Sequence, residues 1–307
     1  MKYISDIPIK NAAPHIFTRP YLSVEPNTPM LQLATFLAIG PQIYVDGLVV
    51  ISENEKGQRI RPVGRIDCKH IISNLLDSNY LDWSEMKASQ IMDSTMETLE
   101  MDSMLSSALE IFDKTRFAFV PIVTNRDDQR DKEQEINSNS MVVAATLAIR
   151  DILPLIAKAD ITVPIKQISS ILVSIDGNTS ITNVLDYMIR NGIRNMGIND
   201  DDEVSTNDSG KSKLLRIIND RKILEFLFSH KGREILCKYG TSGLGNINII
   251  NHLDIISITP IRSDTTVSKA AELLTDIRTP CLISEDDTAY KIVTPWDIVM
   301  KTLRSEG

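Results

Sequence analysis

The sequence predicts an α+β fold of four repeated units, each with an extended start, a helix, two strands and a second helix. The first observation is a recurring start of a helix: a turn with helix-capping residues is followed by apolar residues spaced three and four apart. This pattern recurs at intervals of about 75–85 residues. The second is that two apolar, β-branched runs and another amphipathic helix follow each time. Four such units fill nearly all of the 307 residues.

The elements of each unit follow in the same order. The first helices are predicted in MLQLATFLAIG, MLSSALEIFDK, ITNVLDYMIRNG and VSKAAELLTDI, each after Asn, Asp, Ser or Thr residues that cap helix N-termini. The paired strands follow in QIYVDGLVVI and IRPVGRI, RFAFVPIVT and MVVAATLAI, RNMGIN and KLLRIIN, and TPCLIS and YKIVT. The second helices are predicted in DCKHIISNLL, RDILPLIA, DRKILEFLF and PWDIVMKTL. We expect units one to four at about residues 5–80, 85–160, 161–235 and 245–307.

The composition is that of a soluble globular protein. The chain is 42% hydrophobic and 24% charged, and no uninterrupted apolar run approaches the roughly 18 residues of a membrane span. The start, MKYISDIPIK, lacks the apolar core of a signal peptide. A net charge of −8 provides no broad field for nucleic acid. Three separated cysteines indicate reduced thiols, so we expect a cytoplasmic protein without membrane contact.

Three segments depart from the repeated pattern. Residues 126–140 and 200–213 are polar and charged, which predicts long solvated loops between paired strands. Residues 238–251 contain three glycines that neither follow a convincing strand nor open a helix. We therefore expect a flexible connector there rather than a phosphate-binding loop.

The stretch KIVTPWDIV, residues 291–299, has the sharpest chemical signal. A β-branched run ends at Thr294, Pro295 suits the first position of a helix, and Asp297 lies in its first turn. Such a helix start attracts phosphate, and an ionised carboxylate can accept from two hydroxyl groups. The alternative is an ordinary N-cap followed by an acid that favours the helix dipole.

Four units of this kind, with strand runs such as VPIV at residues 120–123 and the TPWD ending, resemble the CBS domain, named after cystathionine β-synthase. The resemblance covers about residues 5–305. It implies two pseudo-two-fold CBS pairs, residues 1–160 and 161–307, and leaves open whether they close a disc within one chain or across a homodimer. Clefts of this family commonly bind adenine nucleotides or S-adenosylmethionine. In this family the binding motif ends each unit as a strand, Ser/Thr-x-x-Asp and a helix, and we call these four residues the ending of the unit. The Asp accepts hydrogen bonds from the ribose hydroxyls, and the Ser/Thr lies near the phosphate.

The four endings keep this chemistry to different degrees. Unit four has both Thr294 and Asp297, whereas unit two has Asp151 without the hydroxyl. The acid position holds His70 in unit one and Lys222 in unit three, and a lysine cannot accept a hydrogen bond from a ribose hydroxyl. We therefore expect the main site at Asp297, a weaker one at Asp151, and empty or differently used clefts in the other two units.

The resemblance also implies the walls of each cleft, which come from the extended start and first strand of the partner unit. We expect Arg194 and Arg278 to provide positive charge for a phosphate. Trp296 either stacks on a base or packs against the neighbouring pair, and packing is favoured. The set for the Asp297 site is Val173, Ser174, Ile193, Arg194, Arg278, Thr279, Thr294, Trp296 and Asp297. The set for the weaker site is Leu22, Ser23, Arg116 and Asp151.

Catalytic motifs are missing from the sequence. Its four histidines lack metal-ligand spacing, and no Walker, G-x-S-x-G or H-E-x-x-H pattern occurs. We expect a regulatory, non-catalytic protein that needs no cofactor, binds an adenosine-containing small molecule as its regulatory ligand and signals to an unidentified protein target. The alternatives are a ligand-independent interaction scaffold with degenerate clefts and, disfavoured by the charge, a nucleic-acid-binding CBS protein.

Overall fold

The computed structural model describes eight stretches of the chain. They are residues 4–39, 46–53, 59–77, 83–125, 141–199, 215–249, 251–286 and 289–304. The two predicted polar loops, residues 126–140 and 200–213, lie outside these stretches.

The N-terminal half follows the predicted order of helices and strands. Its helices are α1 (Ile9–Ala12), α2 (Met30–Ile39), α3 (Cys68–Asp77), α4 (Ala88–Ile91), α5 (Leu105–Thr115) and α6 (Leu153–Ala157). Its strands are β1 (Ser23–Val24), β2 (Leu48–Glu53), β3 (Arg59–Ile66), β4 (Leu99–Glu100), β5 (Phe119–Asn125) and β6 (Met141–Ala148).

The C-terminal half repeats that order with one added strand, β7, and without a counterpart of α1. Its helices are α7 (Ile181–Asn191), α8 (Asp220–Leu227), α9 (His230–Tyr239), α10 (Val267–Leu274) and α11 (Pro295–Leu303). Its strands are β7 (Ser170–Ile171), β8 (Ser174–Asp176), β9 (Asn195–Asn199), β10 (Leu215–Asn219), β11 (Ile256–Ile258), β12 (Leu282–Asp286) and β13 (Ala289–Val293).

Each unit has a small sheet, and the sheets of units three and four exchange strands. Units one and two form the three-stranded sheets β1-β2-β3 and β4-β5-β6. In the second half, β7 from the start of unit three joins the sheet of unit four, in the order β12-β13-β7. In return, β11 from the start of unit four extends the sheet of unit three. The exchange places Ser170 opposite Ile292, two residues before Thr294.

Backbone bridges between partner units recur at all four first-helix starts. Pro29 of unit one forms a β-bridge with Lys87 of unit two, and Met104 of unit two forms one with Pro8 of unit one. Each unit thus pairs with the start of the other unit's first helix. The same reciprocal bridges join Ser180 to Asn248 and Thr266 to Pro164. The repeat predicted from the capping residues is therefore also a repeat of contacts between units.

Two large hydrophobic clusters join the halves of the chain. One contains Met30, Leu37 and Trp83 from the first half together with Leu185 and Phe228 from the second. The Trp83 and Phe228 rings make an edge contact, with centroids 5.4 Å apart. Unit one thus packs on unit three.

The second cluster joins unit two to unit four. It contains Phe112 and Leu153 from unit two and Leu274 and Val299 from unit four. An ion pair between Arg304 and Asp113 links the same two units. The four units therefore pack against one another within a single chain.

The predicted flexible connector at residues 238–251 is wrong for the part that the structure describes. Helix α9 leads directly into a 3-10 turn at Gly240–Asn246. Leu244 and Ile249 from this region are fully buried, as is Leu236 in the preceding helix α9. Gly240 has φ 61°, a left-handed conformation that glycine adopts without strain, so it ends the helix. Burial of these apolar residues, rather than glycine content, determines the structure of the segment.

Candidate functional site

The start of α11 contains the predicted main site. The backbone N–H of Asp297 donates to Thr294 Oγ1 at 3.3 Å, and the backbone N–H of Thr294 donates to Asp297 Oδ2 at 2.9 Å. The Thr294 hydroxyl also donates to Oδ2, at 2.6 Å. This is a reciprocal capping box, with Pro295 at the first helical position. The helix start thus fixes Asp297, which is 7% exposed, and uses only one of its carboxylate oxygens.

The other carboxylate oxygen, Oδ1, faces strand β7 of the partner unit. Ser170 Oγ lies 3.4 Å from it and Lys301 Nζ lies 2.8 Å from it. Lys301 also donates to the Ile168 carbonyl at 2.7 Å and to Ser170 Oγ at 2.9 Å. Its side chain is 42% exposed, so water can replace these contacts at low cost. We call Thr294, Asp297, Ser170 and Lys301 the Asp297 cleft.

Sequence reasoning missed two members of this cleft. Lys301 follows Asp297 by four residues on one helix, a spacing that places both side chains on the same face and could have identified it. Ser170 was missed because the expected contacts were Val173 and Ser174. In the structure, Ser174 pairs with Gly197 on unit three's own sheet, and the Val173 carbonyl accepts from the Gly197 N–H at 2.8 Å.

Both arginines predicted to contact phosphate have carboxylate partners elsewhere. Arg194 Nε lies 2.7 Å from Oδ2 of the buried Asp220, and the charge of Asp220 raises the pKa of Arg194. Arg278 is exposed and lies 2.9 Å from Asp276 Oδ2, a hydrogen-bonded pair that lowers the pKa of Asp276. None of the described ion pairs or hydrogen bonds of either arginine involves Asp297.

The remaining residues predicted for the main site, Ile193, Thr279 and Trp296, make contacts with other parts of the chain. Ile193 packs against the core shared by units one and three. Trp296 packs on the core of units two and four, with the Arg116 guanidinium 5.8 Å from its ring centroid. The Thr279 carbonyl accepts from Arg150 Nη2 at 3.2 Å. Trp296 thus contacts both unit two and unit four.

The Asp151 carboxylate lies in the 3-10 turn Ile149–Ile152, which leads into α6, and contacts several groups of its own chain. Arg19 forms a two-pronged ion pair with it, Nη1 to Oδ1 and Nη2 to Oδ2, both at 2.6 Å. The Ala148 N–H donates to Oδ2 at 2.7 Å, and His15 Nε2 lies 3.2 Å from Oδ1. Asp151 is 5% exposed. We call Asp151, Arg19 and His15 the Asp151 cleft.

The other residues predicted for this weaker site lie apart from Asp151 in the described contacts. Ser23 pairs with Val49 in the sheet of unit one. Leu22 packs against the core of units one and three, and Arg116 lies over Trp296. The sequence did not identify Arg19 and His15, because it has no local pattern that indicates which distant basic side chains contact Asp151.

Side chains of the protein also engage the acid positions of units one and three. Lys222 Nζ lies 2.8 Å from Asp254 Oδ2 and 2.8 Å from Glu225 Oε2. The His70 ring stacks on Phe117, with centroids 5.1 Å apart, and its Nδ1 lies 2.8 Å from Asp67 Oδ1. Burial is the largest influence and raises the pKa of Asp67, but the hydrogen bonds and charge of His70 and the charge of Arg194 together outweigh it, so the pKa of Asp67 is lowered.

The described residues include candidate metal-ligand types and three free cysteines, of which Cys68 and Cys281 are buried and Cys237 is exposed. In these stretches no group of three or more His, Cys, Asp and Glu side chains could hold a metal ion. Burial raises the pKa of the Cys68 and Cys281 thiols to about 12, so both stay protonated at neutral pH. None of the helices in the described stretches is long and apolar enough to cross a membrane.

Comparisons with known proteins give no match to a family model and no significant match to a curated protein. Among solved structures, the fold is similar to protein MJ1225 from Methanocaldococcus jannaschii, described as a proposed archaeal homologue of γ-AMPK. That match has a TM-score of 0.70 and 17% identity, and it covers 94% of this chain and 97% of that one.

Two solved CBS structures align with about half of this chain. The CBS domain protein PAE2072 from Pyrobaculum aerophilum, complexed with AMP, is 20% identical over 48% of this chain and 98% of its own, with a TM-score of 0.34. The CBS pair of protein MJ0100, complexed with 5′-methylthioadenosine and S-adenosyl-L-methionine, is 18% identical over 47% of this chain and 93% of its own, with a TM-score of 0.33. The match over the whole chain and the four packed units identify this protein as one with the tandem CBS-domain fold.

Proposed function

We propose that this protein is a regulatory protein that binds an adenosine-containing ligand in the Asp297 cleft, between units three and four. The observation that supports the proposal is the geometry of the Asp297 carboxylate. Its Oδ2 is held by the helix start, and its Oδ1 is aimed at the exchanged strand of the partner unit, next to one half-exposed lysine.

The chemistry of the cleft suits a ribose. Two adjacent hydroxyl groups are hydrogen-bond donors, and hydrogen bonds to an ionised acceptor are stronger than neutral ones. A ribose hydroxyl would replace Lys301 on Oδ1, and the released ammonium could then contact a phosphate. The positive end of the α11 dipole adds to this attraction for an anion.

The proposed regulation follows from where the ligand would lie. It would contact Ser170 of unit three and Asp297 of unit four, and would thereby favour one relative arrangement of the two units. Unit four packs on unit two and unit three packs on unit one, so a change in this pair can reach the other half of the chain. A protein target would then recognise the altered surface.

A thermal-shift screen with AMP, ADP, ATP and S-adenosylmethionine tests the proposal. A bound ligand at about 100 times its Kd should stabilise the protein by roughly 2.7 kcal/mol and raise the Tm accordingly. Asp297→Asn keeps a helix-capping acceptor but loses the charge, so it should lose most of the ligand-dependent shift. The control is Glu272→Gln, which removes an exposed acid from the same unit and should respond like wild type.

The second candidate function is a ligand-independent interaction scaffold. Side chains of the chain itself contact all four acid positions, His70, Asp151, Lys222 and Asp297, as expected of clefts that no longer bind ligands. This alternative predicts no shift in Tm with any of the four compounds, in wild type or in Asp297→Asn.

A further inference from the structure

Arg19 occupies the same place in the Asp151 cleft that Ser170 occupies in the Asp297 cleft. Each lies four residues before the serine that begins the next strand, Ser23 in one case and Ser174 in the other. Each contacts the acid at the start of the partner unit's second helix. The internal repeat thus provides a matched comparison at one position, which holds a small neutral side chain in one cleft and a long cationic one in the other. The cation that contacts Asp297, Lys301, comes from α11 itself and is half-exposed.

The two contacts differ in geometry. Ser170 Oγ is 3.4 Å from one oxygen of Asp297, near the limit for a hydrogen bond. Arg19 reaches both oxygens of Asp151 at 2.6 Å, in the planar arrangement that matches a carboxylate best. The Arg19 side chain is 18% exposed, so solvent screens this ion pair less than a surface one.

The backbone on both sides of Arg19 is fixed. The 3-10 turn Pro14–Phe17 precedes it, with Ile16 and Ala13 buried in the core of units two and four. Strand β1 follows it and pairs with β2. The guanidinium can therefore leave Asp151 by side-chain rotation while the segment stays in place.

We propose that Arg19 closes the Asp151 cleft from within, as an intramolecular occupant of the acceptor oxygens that a ribose diol would use. A diol is neutral and does not replace the charge that Asp151 offers to Arg19. Displacing Arg19 breaks a two-bond ion pair at a largely buried site, whereas displacing Lys301 from Asp297 breaks a single contact of a half-exposed lysine. The chain therefore binds adenosine compounds at one cleft in its resting state, and the second opens when Arg19 is withdrawn. This inference rests on the proposed function and defines which sites are available to the ligand.

Calorimetric titration with AMP tests the closure by stoichiometry. Wild type should bind one AMP per chain, and Arg19→Gln should bind two, with the added site absent from the double variant Arg19→Gln/Asp151→Asn. Arg262→Gln is the matched control, because Arg262 makes a similar two-bond pair with Asp264 at a fully exposed site and should leave the stoichiometry at one. Should Arg19→Gln fail to fold, Arg19→Lys tests the same point, because a lysine cannot bridge both oxygens in this way.

The outcomes separate the two proposals. One site in both wild type and Arg19→Gln overturns the closure by Arg19 while leaving the Asp297 site in place. Two sites in wild type, one of them lost in Asp151→Asn, also overturn it. No binding by wild type with one site in Arg19→Gln supports the closure and contradicts the Asp297 site. No binding by either protein contradicts both.

Discussion

Replacing Trp83 with alanine should lower the free energy of unfolding by about 3–5 kcal/mol, the cost of deleting a large aromatic side chain from a packed core. Trp83 is 2% exposed and its ring contacts Phe228 of unit three. Its Nε1 has no hydrogen-bond partner among the described residues, so the substitution also removes an unsatisfied donor. The loss in free energy of unfolding should therefore lie near the lower end of this range. Urea denaturation followed by far-UV circular dichroism measures the change.

The control for this prediction is Tyr187→Ala, which removes an exposed ring from α7. Its effect should stay within about 0.5 kcal/mol, as is usual for surface positions. Because Trp83 belongs to a core shared by units one and three, we expect one cooperative transition at a lower urea concentration. Two separate transitions in the wild-type protein would contradict a core that joins the halves.

Replacing Asp151 with alanine should lower the free energy of unfolding by about 3 kcal/mol, because it leaves Arg19 as an unpaired charge at a largely buried position. The Ala148 N–H loses its acceptor at the same time. Removing Arg19 as well should recover much of the loss, so a double-mutant cycle in urea should give a clear coupling between the two residues.

The matched control for the Arg19–Asp151 cycle is the pair Arg262–Asp264. It has similar two-bond geometry but is solvent-exposed, so its cycle should show no measurable coupling. Equal coupling in the two cycles would mean that burial adds nothing to the Asp151 ion pair. The inference that Arg19 closes this cleft would then lose its energetic basis.

Much of the fold was predictable because each unit has local signals. Capping residues and apolar spacing correctly placed the first helices, and β-branched runs correctly placed the strands. The exchange of β7 and β11 between sheets was not predictable, because strands of two or three residues are too short for the sequence to indicate which strand they pair with. Packing of unit one on unit three and of unit two on unit four depends on shape across sequence-distant residues such as Trp83 and Phe228.

The candidate site was predictable to a smaller extent. The chemistry of Thr294 and Asp297 is visible in the sequence because the capping box is local, with its residues three positions apart. The contacts of Ser170 and Arg19 span more than 120 residues and follow from the tertiary arrangement. From the sequence, Arg194 was expected to contact a phosphate, but in the structure it forms an ion pair with Asp220. A charged residue in a sequence does not reveal whether another side chain already neutralises it.

The most direct test of the central claim is a crystal structure of the wild-type protein with AMP. The proposal predicts ribose hydroxyl oxygens at about 2.5–3.0 Å from the Asp297 carboxylate, with Lys301 moved off Oδ1 and the ligand lying against β7. It would be contradicted by AMP bound elsewhere, or absent at saturating concentration, with Lys301 still paired to Asp297.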